Sequence, residues 1–319
     1  MSGNELSDRL PASIRSRIGS ATLKGGVATI VADVSGLDQK GRDDLEAAIR
    51  DIVGARDEVD EVRVGMTASR KARQIIAVGS GKGGVGKSTL AANLAIALKD
   101  LGHRVGLVDA DIYGPSQPVI FGNQGQRPEA RDEKLVPVAS SAGIPVLSMG
   151  HLVEAGKAIA WRGPMAGNAL GQLIDAHWGD AELLIVDLPP GTGDVQLTMI
   201  QRYKPAGAIL VSTPQDLALI DAARAGQLFD AADVPIIGLV ENMAGYACPH
   251  CGEMSDPFGT GGVEAAAGRL ELPFLGRIPL DASIRQGSDS GQPPASDPAS
   301  AAPFAAIAEK VSAWIGARS

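Results

Sequence analysis

The chain has 319 residues, of which 45% are hydrophobic, and its 29 Lys and Arg are outnumbered by 37 Asp and Glu. This length suits one large domain and a smaller one. The net charge of -8 repels a phosphate backbone, so we expect no nucleic-acid partner. Because no stretch approaches the roughly 20 consecutive apolar residues of a membrane span, we expect no membrane partner and a cytoplasmic location.

The first part of the chain, residues 1–66, is predicted to form a small α/β domain. Strand-like patterns at 26–34 and 59–64 flank a helical pattern at 43–53. The short basic stretch 67–73 is predicted to be a linker. Residues 74–319 then form the large domain.

The large domain alternates apolar runs with helical patterns. The runs, rich in β-branched residues, lie at 74–78, 104–108, 183–186, 208–211 and 236–240. This alternation predicts an α/β fold with a mostly parallel, helix-covered sheet. Residues 287–301, rich in Ser, Pro, Asp and Gly, predict a loose connection before a terminal helix at 302–315.

A glycine-rich motif follows the first of these runs and precedes a helical pattern. Gly81-Lys82-Gly83-Gly84-Val85-Gly86-Lys87-Ser88 matches G-x-x-x-x-G-K-[ST]. The backbone N–H groups of such a loop point at phosphate oxygens, and the helix N-terminus adds partial positive charge. The motif predicts that Lys87 contacts the β- and γ-phosphates of ATP and that Ser88 binds Mg²⁺. The remaining nucleotide-binding candidates are Gly81, Gly83, Gly84, Val85, Gly86 and Thr89.

The same glycines also satisfy the dinucleotide pattern G-x-G-x-x-G, and Asp109 ends the next strand where a ribose-binding acid is expected. However, a dinucleotide site has no use for Lys87-Ser88-Thr89. Nor does it explain a second acid, Asp187, after the apolar run 183–186. The sequence therefore favours a triphosphate site and a P-loop NTPase.

Three acids are predicted to complete this site from the carboxyl ends of neighbouring strands. Of Asp109 and Asp111, one could hold Mg²⁺ or its water and the other orient the attacking water. Asp187 suits a contact to magnesium, and the glycine-rich loop after it could respond to the γ-phosphate. The alternative is that these acids are solvated loop residues that cap helices or turns.

The two cysteines of the chain, Cys248 and Cys251, are separated by only two residues. Two thiolates cannot complete a four-cysteine metal or cluster site, but a symmetric dimer would supply a second pair. Zinc, with or without His250, and a dithiol redox centre are alternatives. Lys82, early in the glycine loop, could reach a phosphate across the same kind of dimer interface.

Taken together and in this order, the segments 81–89, 109–116, 187–194 and Cys248-Pro249-His250-Cys251 resemble the Mrp/ApbC iron–sulfur carrier ATPases. These belong to the deviant Walker A ATPases typified by MinD. The resemblance spans residues 74–287. The N-terminal unit resembles the iron–sulfur-assembly-associated domain that often precedes such ATPases, although it lacks an initial Asp-Pro-Glu stretch and any cysteine.

The resemblance implies a homodimeric ATPase that bridges a [4Fe–4S] cluster between subunits at Cys248 and Cys251 and passes it on. Its partners would be apo iron–sulfur proteins and an assembly scaffold. It also implies that Lys82 reaches the partner's nucleotide, that Asp111 orients the attacking water and that Asn242 reads adenine. The rivals are a MinD/ParA-like positioning or partitioning switch without a cluster, and an ATP-dependent ligase or reductase component.

Overall fold

The computed structural model describes residues 6, 10–34, 37, 39–67, 73–152 and 164–318. The chain divides into two compact units, Met1–Ala72 and Arg73–Ser319. Of the expected linker 67–73, residues 68–72 lie outside the described residues. None of the described helices is long and apolar enough to cross a membrane.

The first unit contains α1 (Ala12–Arg15), β1 (Ile18–Lys24), β2 (Val27–Asp33), α2 (Gln39–Gly54) and β3 (Glu61–Thr67). Strand β2 lies between antiparallel β1 and parallel β3, and α2 buries Leu45, Ile49 and Val53. The predicted helix and two strands are confirmed. Strand β1 went unpredicted because it lies at an edge and buries only Ala21 fully, so its sequence lacks a strong alternation.

The second unit contains the remaining strands and helices. Its described strands are β4 (Gln74–Ser80), β5 (Val105–Asp109), β6 (Glu129–Arg131), β7 (Lys134–Val136), β8 (Val138–Ala139), β9 (Pro145–Ser148), β10 (Leu183–Asp187), β11 (Gly207–Ser212), β12 (Ile236–Asn242), β13 (Tyr246–Ala247), β14 (Met254–Ser255) and β15 (Phe274–Ile278). Its described α-helices are α3 (Lys87–Asp100), α4 (Gln117–Ile120), α5 (Met149–Leu152), α6 (Pro164–Ile174), α7 (Asp194–Thr198), α8 (Asp216–Asp230), α9 (Gly262–Arg269), α10 (Ala282–Asp289) and α11 (Ala302–Gly316). A π-helical turn, Met199–Tyr203, continues α7, and a 3₁₀ turn spans Pro294–Ser296.

The central sheet has the strand order β15-β12-β11-β4-β10-β5-β9-β8 within the described residues. All neighbouring strands are parallel except β8, which pairs antiparallel with β9 at one edge. The five predicted strands are therefore confirmed, and so is the parallel sheet. Since parallel strands share one carboxyl edge, the residues that follow them are brought together there.

Hydrophobic layers cover both faces of this sheet, because successive side chains of each strand point to opposite faces. In β4, Ile76 and Val78 belong to the layer that includes α3 and α11, whereas Ile75 and Ala77 belong to the layer on the other face. Both faces being buried explains why the strands are continuous apolar runs rather than alternating ones.

The expectation of a loose connection at 287–301 is wrong. Pro294 and Ala295 are buried, and the N–H of Ala295 donates to Asn93 Oδ1 on α3 at 2.6 Å. The Asn93 Nδ2 donates in turn to the carbonyl of Thr89 at 2.7 Å. The prediction from composition failed because the Asn93 side chain, inside α3, accepts a hydrogen bond from the backbone of this segment. A count of turn-forming residues cannot detect such a contact.

Asn93→Ala should lower the free energy of unfolding of the second unit by about 1–3 kcal/mol, because it leaves a buried N–H without a partner. Urea unfolding followed by tryptophan fluorescence measures this unit, since all three tryptophans lie beyond residue 73. The matched control is Ser296→Ala, an exposed change in the same segment that should stay within about 0.5 kcal/mol of wild type. Equal losses in the two variants would show that the Asn93 bond does not hold the segment.

Candidate functional site

The glycine loop joins the end of β4 at Ser80 to the start of α3 at Lys87. Gly84 and Gly86 have φ of +80° and +83°, in the left-handed region that glycine adopts without strain. The loop lines a cavity of about 360 Å³, together with Asp111 from the loop after β5 and Pro190 from the loop after β10. The predicted glycine loop and the loops that follow β5 and β10 therefore meet at the carboxyl edge of the sheet.

Asn242, the last residue of β12, braces this loop from behind. Its Nδ2 donates to the carbonyl of Val85 at 2.8 Å. A Cβ on Gly86 would lie 1.9 Å from that nitrogen, so only glycine fits there. The Asn242 side chain itself is buried.

Lys87 lies among oxygens at the floor of the cavity and is only 6% exposed. Its ammonium forms a close ion pair with Asp187 Oδ1. The Nζ also lies 3.3 Å from Ser88 Oγ and 4.0 Å from Asp111 Oδ2. One hydroxyl and two carboxylates thus surround a cation.

This donor set suits Mg²⁺, which prefers hard oxygen ligands. The position of the Lys87 ammonium shows that the arrangement already stabilises positive charge. Ser88 and Asp111 line the cavity itself, while Asp187 lies fully buried behind it. Ser88, Asp111 and Asp187 could therefore hold the ion.

Asp109 is placed differently from the other acids. It is fully buried, does not line the cavity, and pairs in register with Asp187 on the neighbouring strand. Its Oδ2 accepts from the Ser148 hydroxyl at 2.8 Å and from the Gln117 N–H at 3.1 Å, and its Oδ1 accepts from the Asp111 N–H at 3.2 Å. Burial and then the charge of Asp187 raise the pKa of Asp109 to about 7.

Asp111 shapes the loop that follows β5. Its Oδ1 accepts from the N–H groups of Tyr113 at 3.0 Å and Gly114 at 3.2 Å. Its other oxygen faces Lys87. Tyr113 projects outward and is 79% exposed.

Two side chains of the site were not foreseen from the sequence, Gln117 and Ser148. Gln117 Nε2 donates to Asp187 Oδ2 at 2.8 Å and to the Ser88 carbonyl at 3.0 Å. Nothing in the sequence marks either residue, because amides and hydroxyls are common at loop ends. Only the sheet order places them beside the acids.

Lys82 projects from the loop toward Gln215, with 3.4 Å between its Nζ and the Gln215 Oε1. It also lines the cavity. Within the chain it approaches neither Asp187 nor Asp111 in the contacts of the described residues.

The cysteines lie in the turn of the short hairpin β13–β14. The Cys248 N–H donates to the Glu253 carbonyl at 2.9 Å, and the Cys248 carbonyl accepts from the Gly252 N–H at 2.8 Å. Hydrogen bonds from the backbone N–H groups of Cys251 and His250 lower the pKa of the Cys248 thiol. Cys251 is exposed.

The hairpin presents two thiols in one turn. Within the described ranges, no group of three or more His, Cys, Asp or Glu could hold a metal ion. The segment after Cys251 leads into the short strand β14. A complete four-ligand site would need a second pair of thiolates.

Together the sheet order, the glycine loop and the cluster of lysine and acids define a P-loop NTPase. A ParA family model described as NUBPL iron-transfer P-loop NTPase matches residues 71–312. The chain belongs to this family, which confirms the resemblance seen in its motifs.

Relatives extend this result over most of the chain. An iron–sulfur cluster carrier protein of Pseudomonas fragi is 47% identical over 247 residues, which cover 76% of this chain and 85% of that protein. An Arabidopsis thaliana mitochondrial iron–sulfur protein required for NADH dehydrogenase is 50% identical over 224 residues, or 69% of this chain and 71% of that protein.

Solved structures agree on the fold. An Archaeoglobus fulgidus nucleotide-binding protein in complex with ADP matches with a TM-score of 0.62 and 38% identity, covering 70% of this chain and 88% of that one. The cell division ATPase MinD of Pyrococcus furiosus matches with a TM-score of 0.57 and 26% identity, covering 76% of this chain and 99% of that one. The predicted P-loop NTPase fold is confirmed.

The raised pKa of Asp109 predicts a pH dependence of stability. With a folded pKa of about 7, Asp109 keeps its proton at pH values where the unfolded chain has released it. Its contribution to the free energy of unfolding is therefore complete below about pH 4 and is lost as pH rises toward 7. Asp109→Asn removes this titration.

Between about pH 5 and pH 7.5, the free energy of unfolding of Asp109→Asn should rise relative to wild type by more than about 1 kcal/mol. Urea unfolding of both proteins in the same series of buffers measures the difference. A difference that stays constant with pH would mean that Asp109 is ionised throughout.

Proposed function

We propose that this chain is an ATP-hydrolysing iron–sulfur carrier that binds a [4Fe–4S] cluster between two copies of itself and transfers it to apo-proteins. The observation that carries this proposal is the pair Cys248 and Cys251, which lies open on a hairpin with one thiol pKa lowered. Two such pairs facing each other across a two-fold axis supply the four thiolates of a cubane cluster. The names of the relatives in Pseudomonas fragi and Arabidopsis support the same cargo.

The nucleotide site supports ATP as the second ligand. In this proposal Lys87 exchanges its pairing with Asp187 for the β- and γ-phosphates, and Asp111 orients the attacking water. While its Nδ2 donates to Val85, the amide oxygen of Asn242 could accept from the exocyclic amino group of adenine. Guanine carries its amino group at a different ring position. Ser88, Asp187 and Asp109 would hold Mg²⁺, which would neutralise charge on the phosphates.

Loss of Lys87 from its pair leaves Asp187 fully buried and uncompensated, which is costly unless another cation approaches. Binding of phosphate and of magnesium are therefore linked through one carboxylate. For ATP to drive cluster transfer, the cluster-holding and cluster-releasing dimers must bind the nucleotide with different affinity.

A MinD/ParA-like switch without a cluster is the weaker alternative. It shares the fold and the glycine loop, but it has no use for two cysteines in one exposed turn. Zinc in the same four-thiolate position is the other alternative for the cysteines.

Anaerobic reconstitution with iron and sulfide tests the cargo. Wild type should hold about four iron and four sulfide per dimer, whereas Cys248→Ala and Cys251→Ala should hold neither. His250→Ala is the matched control from the same turn, and it should keep the cluster. Colourless wild-type protein that retains zinc, or no metal, with nucleotide binding intact, would refute the cluster carrier.

Mixed dimers test whether Lys82 acts on the partner's nucleotide. In a Lys82→Ala dimer both phosphate sites lack the partner's lysine, and in a Lys87→Ala dimer both lack their own Lys87. Each variant alone should therefore be nearly inactive. Mixed in equal amounts, they should recover about a quarter of wild-type hydrolysis, because half the dimers are mixed and each has one complete site. No recovery, despite subunit exchange shown by mass spectrometry, would place Lys82 in its own subunit's site.

A further inference from the structure

Gln117 has no assigned role, yet it contacts three residues at the site that would hold a metal, Ser88, Asp109 and Asp187. It is the first residue of α4 and is fully buried. Its backbone N–H donates to Asp109, and its side chain donates to Asp187 and to the Ser88 carbonyl. One residue therefore ties the ends of two strands to the first turn of α3.

These contacts orient two groups that could bind a cation, the Asp187 carboxylate and the Ser88 hydroxyl. Asp187 has two oxygens, of which Oδ1 faces Lys87 and Oδ2 accepts from Gln117 at 2.8 Å. The same amide holds the Ser88 main chain at 3.0 Å, and with it the position from which the Ser88 hydroxyl reaches the cavity. When Lys87 turns to a phosphate, the bond from Gln117 is the remaining one that orients Asp187 among its contacts with the described residues.

One atom of the Gln117 amide lowers the stability of the folded chain. Its Oε1 is buried without a hydrogen-bond partner among the described residues. An unsatisfied buried oxygen lowers stability, and the two bonds that Nε2 donates to Asp187 and to the Ser88 carbonyl offset that cost. What distinguishes this amide is its acceptor, a fully buried carboxylate at the end of β10.

We propose that Gln117 is a positioning residue of the magnesium site, which orients the Asp187 carboxylate and the Ser88 backbone for a cation bound with nucleotide. Neutral donors that orient metal-binding groups typically change metal affinity by 10- to 100-fold when removed. The inference rests on the proposed binding of nucleotide with Mg²⁺. It does not depend on the cluster.

The test compares the affinity for a fluorescent ADP analogue in EDTA and in saturating Mg²⁺. In wild type, Mg²⁺ should tighten binding. In Gln117→Met, the gain from Mg²⁺, taken relative to the affinity of the same variant in EDTA, should shrink about tenfold or more. Binding of Mn²⁺ to the ADP complex, followed by electron paramagnetic resonance, should weaken to the same extent.

Gln196→Met is the matched control. Gln196 is also buried and also has an Oε1 without a partner among the described residues, but its amide donates to the carbonyls of Pro189 and Gly191, and no described carboxylate accepts from it. It should keep the wild-type gain from Mg²⁺. A gain in Gln117→Met equal to that of wild type would overturn the inference.

A measurement on wild type covers the case in which Gln117→Met fails to fold. The side-chain amide signal of Gln117, in protein labelled with ¹⁵N-glutamine, should shift when Mg²⁺ is added to the ADP complex. An unmoved signal would overturn the inference as well. Wild type that binds no ADP in either buffer would instead refute the nucleotide function on which the inference rests.

Discussion

The ion pair between Lys87 and Asp187 is the interaction on which the site depends. Parallel pairing of β5 with β10 places Asp109 and Asp187 side by side, both without solvent. Two buried carboxylates repel each other, and this arrangement is tolerated only because a cation lies beside one and hydrogen bonds surround the other. The glycine loop supplies that cation at the start of α3.

The burial of two neighbouring carboxylates also explains why the three acids have different surroundings. Asp109, which accepts from Ser148, Gln117 and Asp111, anchors the loop after β5 and takes up a proton easily. Asp111 faces the cavity, and Asp187 shares the charge of Lys87. Position along a strand end, rather than residue type, therefore separates three chemically identical side chains.

The cysteine hairpin is linked to the nucleotide site through the chain itself. Asn242, which braces the glycine loop, is only six residues before Cys248. Between them, Ala244 donates to the carbonyl of Ile278, and the Gly245 carbonyl accepts from Leu280, just before the Asp281 cap of α10. Residues Ser288 and Asp289 of α10 line the nucleotide cavity. The two cysteines and the phosphate loop thus lie on closely connected segments of one domain.

The sequence by itself determined the parallel sheet, the glycine loop, the strand-end acids and the cysteine pair, because continuous apolar runs and closely spaced motifs are local properties. Only the tertiary structure decided that Asp111 lines the cavity while Asp109 and Asp187 lie fully buried, that Asn242 braces Val85, that Gln117 joins three segments, and that residues 287–301 pack on Asn93. These contacts join residues far apart in the chain, and the order of strands in the sheet, which no local pattern encodes, brings them together.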